Sequence, residues 1–484
     1  MPGTKIQLRD LLGPDLQAPA GIEVKGLTAD SREVRAGDLF IAVAGSRADG
    51  ARFAADAAKR GAAAVAGEAE RPQDLPANVP YVRVGDARML LARGAAKLFA
   101  RQPATIVAVT GTNGKTSVAS FTRQIWIALG KSAASIGTLG VTRPKGETKG
   151  SLTTPDPVGL HRLLDELAAE GVTHLSMEAS SHGLDQRRLD GVRLAAGAFT
   201  NLTRDHLDYH KTLEAYRAAK LRLFDTLLPA GAAAVVNADS PEAGIIGSIA
   251  AKRGLRLVSA GRSGKDLKLR ETKREGFAEI LTVVAEGRDH RVKFPLVGDF
   301  QISNGLIAAG LAIATGSAAA DALAALQQLR GASGRLELVG DKKGAPIFVD
   351  YAHTPDALAN ALDALRPYAK RLIVLFGCGG DRDPGKRPLM GEIAIRRADR
   401  VYVTDDNPRS EDPAAIRKAI LAAAPGAIEI GDRSAAIGRA VAELTPGDVL
   451  LVAGKGHETG QIVGERILPF SDQQEVRAVL GEKS

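Results

Sequence analysis

Short apolar runs alternate with longer amphipathic stretches along most of the chain, and the alternation is sharpest in the carboxyl-terminal third. There Ile347 to Tyr351 precedes a helical pattern from Pro355, and Leu372 to Phe376 precedes one from Lys386. Val401 to Thr404 precedes one from Pro413, and Val449 to Ala453 precedes a final helix from Asp472. Short apolar strands separated by helices predict parallel sheets with crossover connections. Upstream, Pro103 introduces a strand-like Thr105 to Thr110, followed by strand candidates at His174 to Met177, Ala196 to Thr200 and Ala233 to Asn237. Ile302 to Thr315 is apolar on every side and reads as a buried helix. The amino-terminal block carries shorter strand candidates, Asp38 to Val43, Ala63 to Val65 and Tyr81 to Val84, between Ala-rich helical stretches. Ser263 to Arg291, rich in glycine and charge, breaks the alternation and reads as a β excursion or a surface insertion.

The pattern divides the chain into three α/β domains, expected at 1–102, 103–333 and 334–484. A length of 484 residues agrees with that division at about 150 residues per domain. Hydrophobic residues at 45% and charged residues at 25% exclude a largely disordered chain. The net charge of +8 raises the question of nucleic acid, but no Lys/Arg block is present and aromatics are only 4%. The excess suits phosphate-rich small-molecule substrates equally well, and no nucleic-acid partner is expected. One cysteine, Cys378, excludes an internal disulfide and a multi-cysteine zinc site. Met1 to Asp10 has no apolar signal core and no run is long enough to span a bilayer, so a cytoplasmic protein without membrane insertion is expected.

The clearest chemistry lies at Thr110-Gly111-Thr112-Asn113-Gly114-Lys115-Thr116, between an apolar strand and a helix opening near Thr116. Glycines let backbone N–H groups turn toward an anion, and the helix N-terminus adds partial positive charge. Lys115 would pair with the β- and γ-phosphates of ATP, and the Thr116 hydroxyl would ligate Mg²⁺. Only Thr112 and Asn113 separate the two glycines, against four residues in the common phosphate loop.

That short spacing resembles the loop of the Mur ligase superfamily, which includes the amino-acid-adding enzymes of peptidoglycan synthesis and the folylpolyglutamate synthases. The resemblance extends over nearly the whole chain and is nearest to the branch that adds meso-diaminopimelate to a UDP-muramoyl-dipeptide. It implies a UDP-binding α/β domain, a central P-loop ATPase-like parallel-sheet domain and a Rossmann-like carboxyl-terminal domain, acting as a monomer. Asp30-Ser31-Arg32 and the loop Gly45 to Gly50 resemble uridine-binding segments, implying contacts from Ser31, Ser46, Arg47 and Ala48. Thr153-Thr154-Pro155-Asp156 and Glu178 to Leu184 resemble the muramoyl-peptide and metal segments. They imply substrate contacts from Thr153, Thr154, Ser180, Gln186 and Arg188, and a Mg²⁺ role for Glu178.

Asn201 to Asp208 supplies His206 as a second implied metal ligand. Tyr216 to Phe224 carries Lys220, which by itself reads as a snorkelling surface lysine. The resemblance instead implies a carbamylated lysine that helps hold Mg²⁺. It adds Ser117, Asn237, Asp239, Asn304, Arg335 and His353 to the ATP set, with Gln301 standing where the family often shows asparagine. Asp350 is implied to assist the metal or to orient phosphate-binding groups. Arg382, Asp406-Asn407-Pro408-Arg409, Gly454 and Glu458 are implied to hold diaminopimelate. An arginine fork suits the extra carboxylate that lysine lacks, and Glu458 suits an ammonium.

The implied activity is amide-bond ligation through an acyl phosphate, with Lys115, Glu178, His206, Lys220, Arg335 and Asp350 as the catalytic set. Two alternatives stay open: the lysine-adding ligase, and a nucleotide-binding regulatory ATPase that forms no amide.

Overall fold

A computed structural model describes residues 5–481, apart from 14, 15, 17, 46–48 and 151. Its centre is a sheet that, among the described residues, has eleven strands. Five parallel strands form its heart in the order Ala133–Gly137, His174–Glu178, Thr105–Thr110, Leu194–Phe199 and Ala233–Asn237, with Arg256–Gly261 continuing the parallel run. Both faces are covered, as a parallel sheet requires. Helices Lys115–Ala128 and Asp299–Ala314 bury Val118, Phe121, Trp126, Leu306 and Ile307 on one face. Helices Pro157–Ala169 and Ala243–Arg253 bury Leu160, Leu164 and Ile246 on the other.

Ser263 to Arg291 is no separate surface insertion. Leu267–Glu275, Ala278–Ala285 and Arg288–Phe294 are antiparallel strands that continue the central sheet. Leu281, Val283, Val292 and Phe294 face the shared core, while the charged positions between them face outward. One buried and one wet face is the ordinary pattern of antiparallel strands, so of the two readings the β one holds and the surface insertion does not. At the turn between the first two, Phe277 stacks on Tyr368 at 5.0 Å, and the Tyr368 hydroxyl donates to Glu279 at 2.6 Å.

The amino-terminal sheet is parallel, in the order Gly26–Thr28, Asp38–Ala42, Ala64–Gly67 and Tyr81–Arg83. The carboxyl-terminal sheet runs Glu337–Asp341, Pro346–Asp350, Asp448–Ala453, Arg371–Phe376, Arg400–Val403 and Ile428–Glu429, antiparallel only at its first pair. Helices start where the sequence places them because proline or a side-chain cap fixes the first turn. Thr354 caps Pro355–Leu365, Asp412 caps Pro413–Leu421, and Ser471 caps Asp472–Leu480. Arg433 is buried and forks onto Asp472 at 2.7 and 2.8 Å while donating to the Ala453 carbonyl at 2.9 Å. This ion pair anchors the strand end that leads into Gly454. No helix among the described residues is long and apolar enough to cross a membrane.

Candidate active site

The carboxyl ends of three central strands carry the phosphate loop and its supports, where parallel α/β sheets hold ligands. Gly111 has φ +139° and Gly114 φ +86°, backbone that side-chain-bearing residues rarely adopt. A Cβ at Gly114 would lie 2.3 Å from Asn304 Oδ1, so Asn304 packs directly on the loop. Helix Lys115–Ala128 has no side-chain cap, which leaves its first N–H groups open to an anion.

Residues after strand Leu194–Phe199 brace the loop. Thr200 Oγ1 donates to the Asn113 carbonyl at 2.6 Å, and Asn113 N–H donates to Asn201 Oδ1 at 2.9 Å. Thr112 accepts from Thr203 N–H at 3.0 Å and from the buried Tyr216 hydroxyl at 3.3 Å. The sequence singled out this segment for His206 and missed the bracing. Its signal was the run of hydroxyl and amide side chains at a strand end.

Lys115 donates to the Gly111 and Thr112 carbonyls at 2.9 and 2.8 Å. Burial pulls its pKa down, against the pull of Glu178 and Asp205. Lys220 is not a surface lysine. It is 1% exposed, donates to the Gly111 carbonyl at 2.6 Å and lies 4.4 Å from the Tyr216 ring centroid. Burial, with the Lys115 charge beside it, holds its pKa well below the ordinary 10.5.

Glu178 ends strand His174–Glu178, 1% exposed, and accepts from Thr138 N–H at 2.8 Å and the Thr138 hydroxyl at 3.1 Å. A Cβ at Gly137 would fall 2.1 Å from its Oε1, so the glycine makes room for the carboxylate. The muramoyl-peptide candidates form one network around it. Thr153 pairs with the Thr138 hydroxyl at 3.1 Å, Thr154 donates to the Glu178 carbonyl at 2.9 Å, and Thr154 and Ser180 hydroxyls pair at 3.1 Å. Arg188 donates to the Thr154 carbonyl and to Gln186 Oε1, both at 2.7 Å. Thr138 was not foreseen, because a threonine after a strand carries no signal of its own.

Other candidates sit further out. Ser31 is buried at the start of a short turn capped by Asp30. A cavity of about 290 Å³ opens nearby between Asp49 and Glu68, and Ser31 does not line it. Ser46, Arg47 and Ala48 lie outside the described residues. Asn237 Oδ1 accepts from Asp239 N–H at 3.1 Å, and the Asp239 carboxylate accepts from Arg262 and Ser263 N–H, both at 2.8 Å. Ser117 is buried in the first turn of its helix. Gln301 is 1% exposed and donates to the Arg335 carbonyl at 3.1 Å, giving this departure from the family pattern a structural task.

Arg335 reaches Thr116 Oγ1 at 3.4 Å and stacks 4.5 Å from the Tyr351 ring centroid. Asp350 accepts from Leu336 N–H at 2.6 Å and Ala352 N–H at 2.7 Å, which fixes the backbone next to Arg335. Burial raises its pKa from 3.8 to about 6. His353 Nδ1 bonds the Tyr351 carbonyl at 2.8 Å. Among the amino-acid candidates, Arg409 has φ +52° and donates to the Gly380 carbonyl at 2.8 Å, while Asn407 donates to Glu458 at 2.8 Å. Asp406 and Pro408 are buried, and a Cβ at Gly454 would lie 2.6 Å from Asp406. Arg382 is exposed.

One cavity of about 760 Å³ lies between residues of the central and carboxyl-terminal sheets, and Lys115, Arg335, Asp350 and Arg409 lie outside its lining. Thr116 and Glu178 line it from one side, and Glu337, His457 and Glu458 from the other. Burial and the Arg335 charge lower the pKa of His457 to about 4, so it is neutral at physiological pH. The hard oxygens of Thr116 and Glu178 on one wall fit Mg²⁺. His206 is exposed and outside that lining, and Lys220 as an ammonium offers no lone pair. No group of three His, Cys, Asp or Glu converges among the described residues.

The short-spaced phosphate loop, its buried lysine and the flanking sheets define a nucleotide-using α/β ligase, and the chain belongs to the Mur ligase family. Its family models, described as Mur ligase family, catalytic domain, Mur ligase middle domain, and Mur ligase, glutamate ligase domain, match residues 23–98, 109–312 and 334–456. A Bradyrhizobium diazoefficiens protein named UDP-N-acetylmuramoyl-L-alanyl-D-glutamate--2,6-diaminopimelate ligase is 59% identical over 486 residues, 99% of this chain and 100% of that protein. The solved structure of a ligase with the same name superposes with a TM-score of 0.73 at 33% identity, over 99% of both chains. MurF ligase from Thermotoga maritima, solved in complex with ADP, shares the fold with a TM-score of 0.62 at 20% identity, over 98% of both chains.

Proposed function

We propose that this chain uses ATP to join meso-diaminopimelate to UDP-N-acetylmuramoyl-L-alanyl-D-glutamate in peptidoglycan precursor synthesis, as a cytoplasmic monomer. The observation that carries the reading is the shared cavity, with phosphate-loop and carboxylate groups on one wall and Glu458 on the opposite one. Full-length likeness to the diaminopimelate-adding ligases supports it.

A carboxylate is a poor electrophile at neutral pH, so it needs a leaving group. The γ-phosphate of ATP passes to the side-chain carboxylate of the D-glutamyl residue, giving an acyl phosphate and ADP. The amine of diaminopimelate attacks the acyl carbon, and phosphate leaves from the tetrahedral intermediate. The protein positions the reactants and stabilises charge. The open N–H groups after Gly114 cradle phosphate oxygens, and Lys115 turns from the loop carbonyls to the β- and γ-phosphates. Arg335 takes developing negative charge beside Thr116. Thr153, Thr154, Ser180, Gln186 and Arg188 hold the muramoyl-peptide, while Asn237, Asp239, Asn304 and His353 serve the nucleotide. Thr116 and Glu178, with His206 and a carbamylated Lys220, would hold Mg²⁺, which would supply charge neutralisation for the phosphates. Burial beside Lys115 lowers the Lys220 pKa and so favours loss of the proton that must leave before the amine can react with CO₂, which supports its carbamylation. Asp406, Asn407, Arg409, Gly454 and Glu458, with Arg382, receive diaminopimelate.

The test is Lys115→Ala, assayed for ADP, phosphate and tripeptide product, with thermal melting as the control for folding. All three products fall together by about 10³-fold or more while melting shifts little. Near-normal turnover in that variant would remove Lys115 from the mechanism.

A further inference from the structure

The side chain of Lys455 is 0% exposed, and Lys455 lies outside the lining of the large cavity. Its ammonium has three protons and three acceptors: Asn407 Oδ1 at 3.1 Å, Glu458 Oε2 at 2.9 Å and the Gly460 carbonyl at 2.7 Å. Asn407 Oδ1 also accepts from Ile462 N–H at 2.9 Å, which fixes the amide so that its Nδ2 donates to Glu458 Oε2 at 2.8 Å. Both fixed donors therefore meet the same oxygen of Glu458. The other oxygen, Oε1, is left for the cavity, where the side chain remains 28% exposed.

The same buried group also ties two stretches of chain together. Arg409 N–H donates to the Ile462 carbonyl at 3.0 Å, and Gln461 Nε2 donates to the Asp406 carbonyl at 2.8 Å. The hairpin Gly460–Val463 with Arg466–Pro469 is thus fastened along Asp406 to Arg409, with Lys455 at the junction.

We propose that Lys455 is a positioning residue for recognition of the amino-acid substrate. It pins one carboxylate oxygen of Glu458 and the amide of Asn407, so that the second oxygen meets the substrate ammonium in a fixed orientation. An unanchored glutamate would sample several rotamers and form the ammonium contact only in some of them. Lys455 itself touches no substrate. The inference rests on the reading of Glu458 as the ammonium acceptor, and the experiment separates the two.

Lys455→Met, Glu458→Gln and the double variant are compared by steady-state kinetics with diaminopimelate and ATP varied in turn. Lys455→Met keeps the stem and removes the charge. It raises KM for diaminopimelate about ten-fold or more, with kcat and KM for ATP within about two-fold. Glu458→Gln raises the same KM, and the double variant is no worse than the more impaired single one, because the positioned carboxylate is already gone. If Glu458→Gln leaves KM unchanged, the reading of Glu458 fails, and the positioning role fails with it. If Glu458→Gln raises KM and Lys455→Met does not, or if the two effects multiply, only the positioning role is overturned. Lys455→Gln, read the same way, replaces the methionine variant should that one fail to fold, and failure of both to fold also overturns the proposal.

Discussion

Glu178→Gln separates the charge of the cavity carboxylate from its shape. The amide has the same size, so the space left by Gly137, where a Cβ would lie 2.1 Å from the Glu178 Oε1, still accommodates it. Its Oε1 can accept the Thr138 N–H that now bonds Glu178 at 2.8 Å. Its Nε2 can donate to the Thr138 hydroxyl, which already pairs with Thr153 at 3.1 Å. Each hydrogen bond thus finds a substitute, and stability changes by about 1 kcal/mol or less. Function loses a full negative charge on a wall where phosphate and a divalent cation meet. Removing one preorganised electrostatic contact typically costs about 3–4 kcal/mol at the transition state, or roughly 10²–10³ in kcat. The assay is phosphate release with both carbon substrates present, run over a Mg²⁺ titration beside a thermal melt. A lower kcat together with a higher Mg²⁺ requirement at nearly unchanged melting is expected. Activity within about three-fold of the parent at ordinary Mg²⁺ would refute the charge argument.

Asp350 gives a pH prediction. Burial raises its pKa from 3.8 to about 6, so between these values the folded chain holds a proton that the unfolded chain has lost. Stability from this group is therefore fully present below pH 3.8 and falls as pH rises through 6, by about 3 kcal/mol in total. Asp350→Asn removes that slope, so its melting temperature relative to the parent rises between pH 4 and pH 7; parallel melting curves across that range would contradict the burial argument. Lys220, buried beside Lys115, is expected to gain the mass of one CO₂ in native mass spectrometry from bicarbonate buffer, and Lys220→Met is expected to lack it. An unmodified mass in fully active enzyme would count against the carbamate.

Much of the fold was written in local patterns. Thr105–Thr110 and Ala233–Asn237 occupy the residues their apolar runs marked, the helix from Lys386 begins where its pattern placed it, and helices begin at Pro355, Pro413 and Asp472 because caps and prolines act within a single turn. What was not legible depends on contacts between distant segments. Helix Leu213–Arg222 carries four charged residues, Glu214, Arg217, Lys220 and Arg222, and nothing along it marks Lys220 as the buried one. Its burial comes from packing against Gly111, more than a hundred positions earlier in the chain. Glu178 could be read as a strand-end carboxylate, but the hydroxyl that holds it belongs to Thr138 on another strand end. The bracing of the phosphate loop by Thr200, Asn201 and Thr203 was hidden for the same reason. The resemblance implied His206 as a metal ligand, and in the structure it lies outside the cavity lining.

The central claim is that ATP is spent on attaching diaminopimelate. It is tested most directly by phosphate release from UDP-N-acetylmuramoyl-L-alanyl-D-glutamate and ATP, with only the amino acid varied, for the parent and Arg409→Ala. Release in the parent should depend on meso-diaminopimelate and exceed that with lysine by about 10²-fold, and the arginine variant should lose most of that preference. Equal release with lysine, or release that needs no amino acid, would contradict the account.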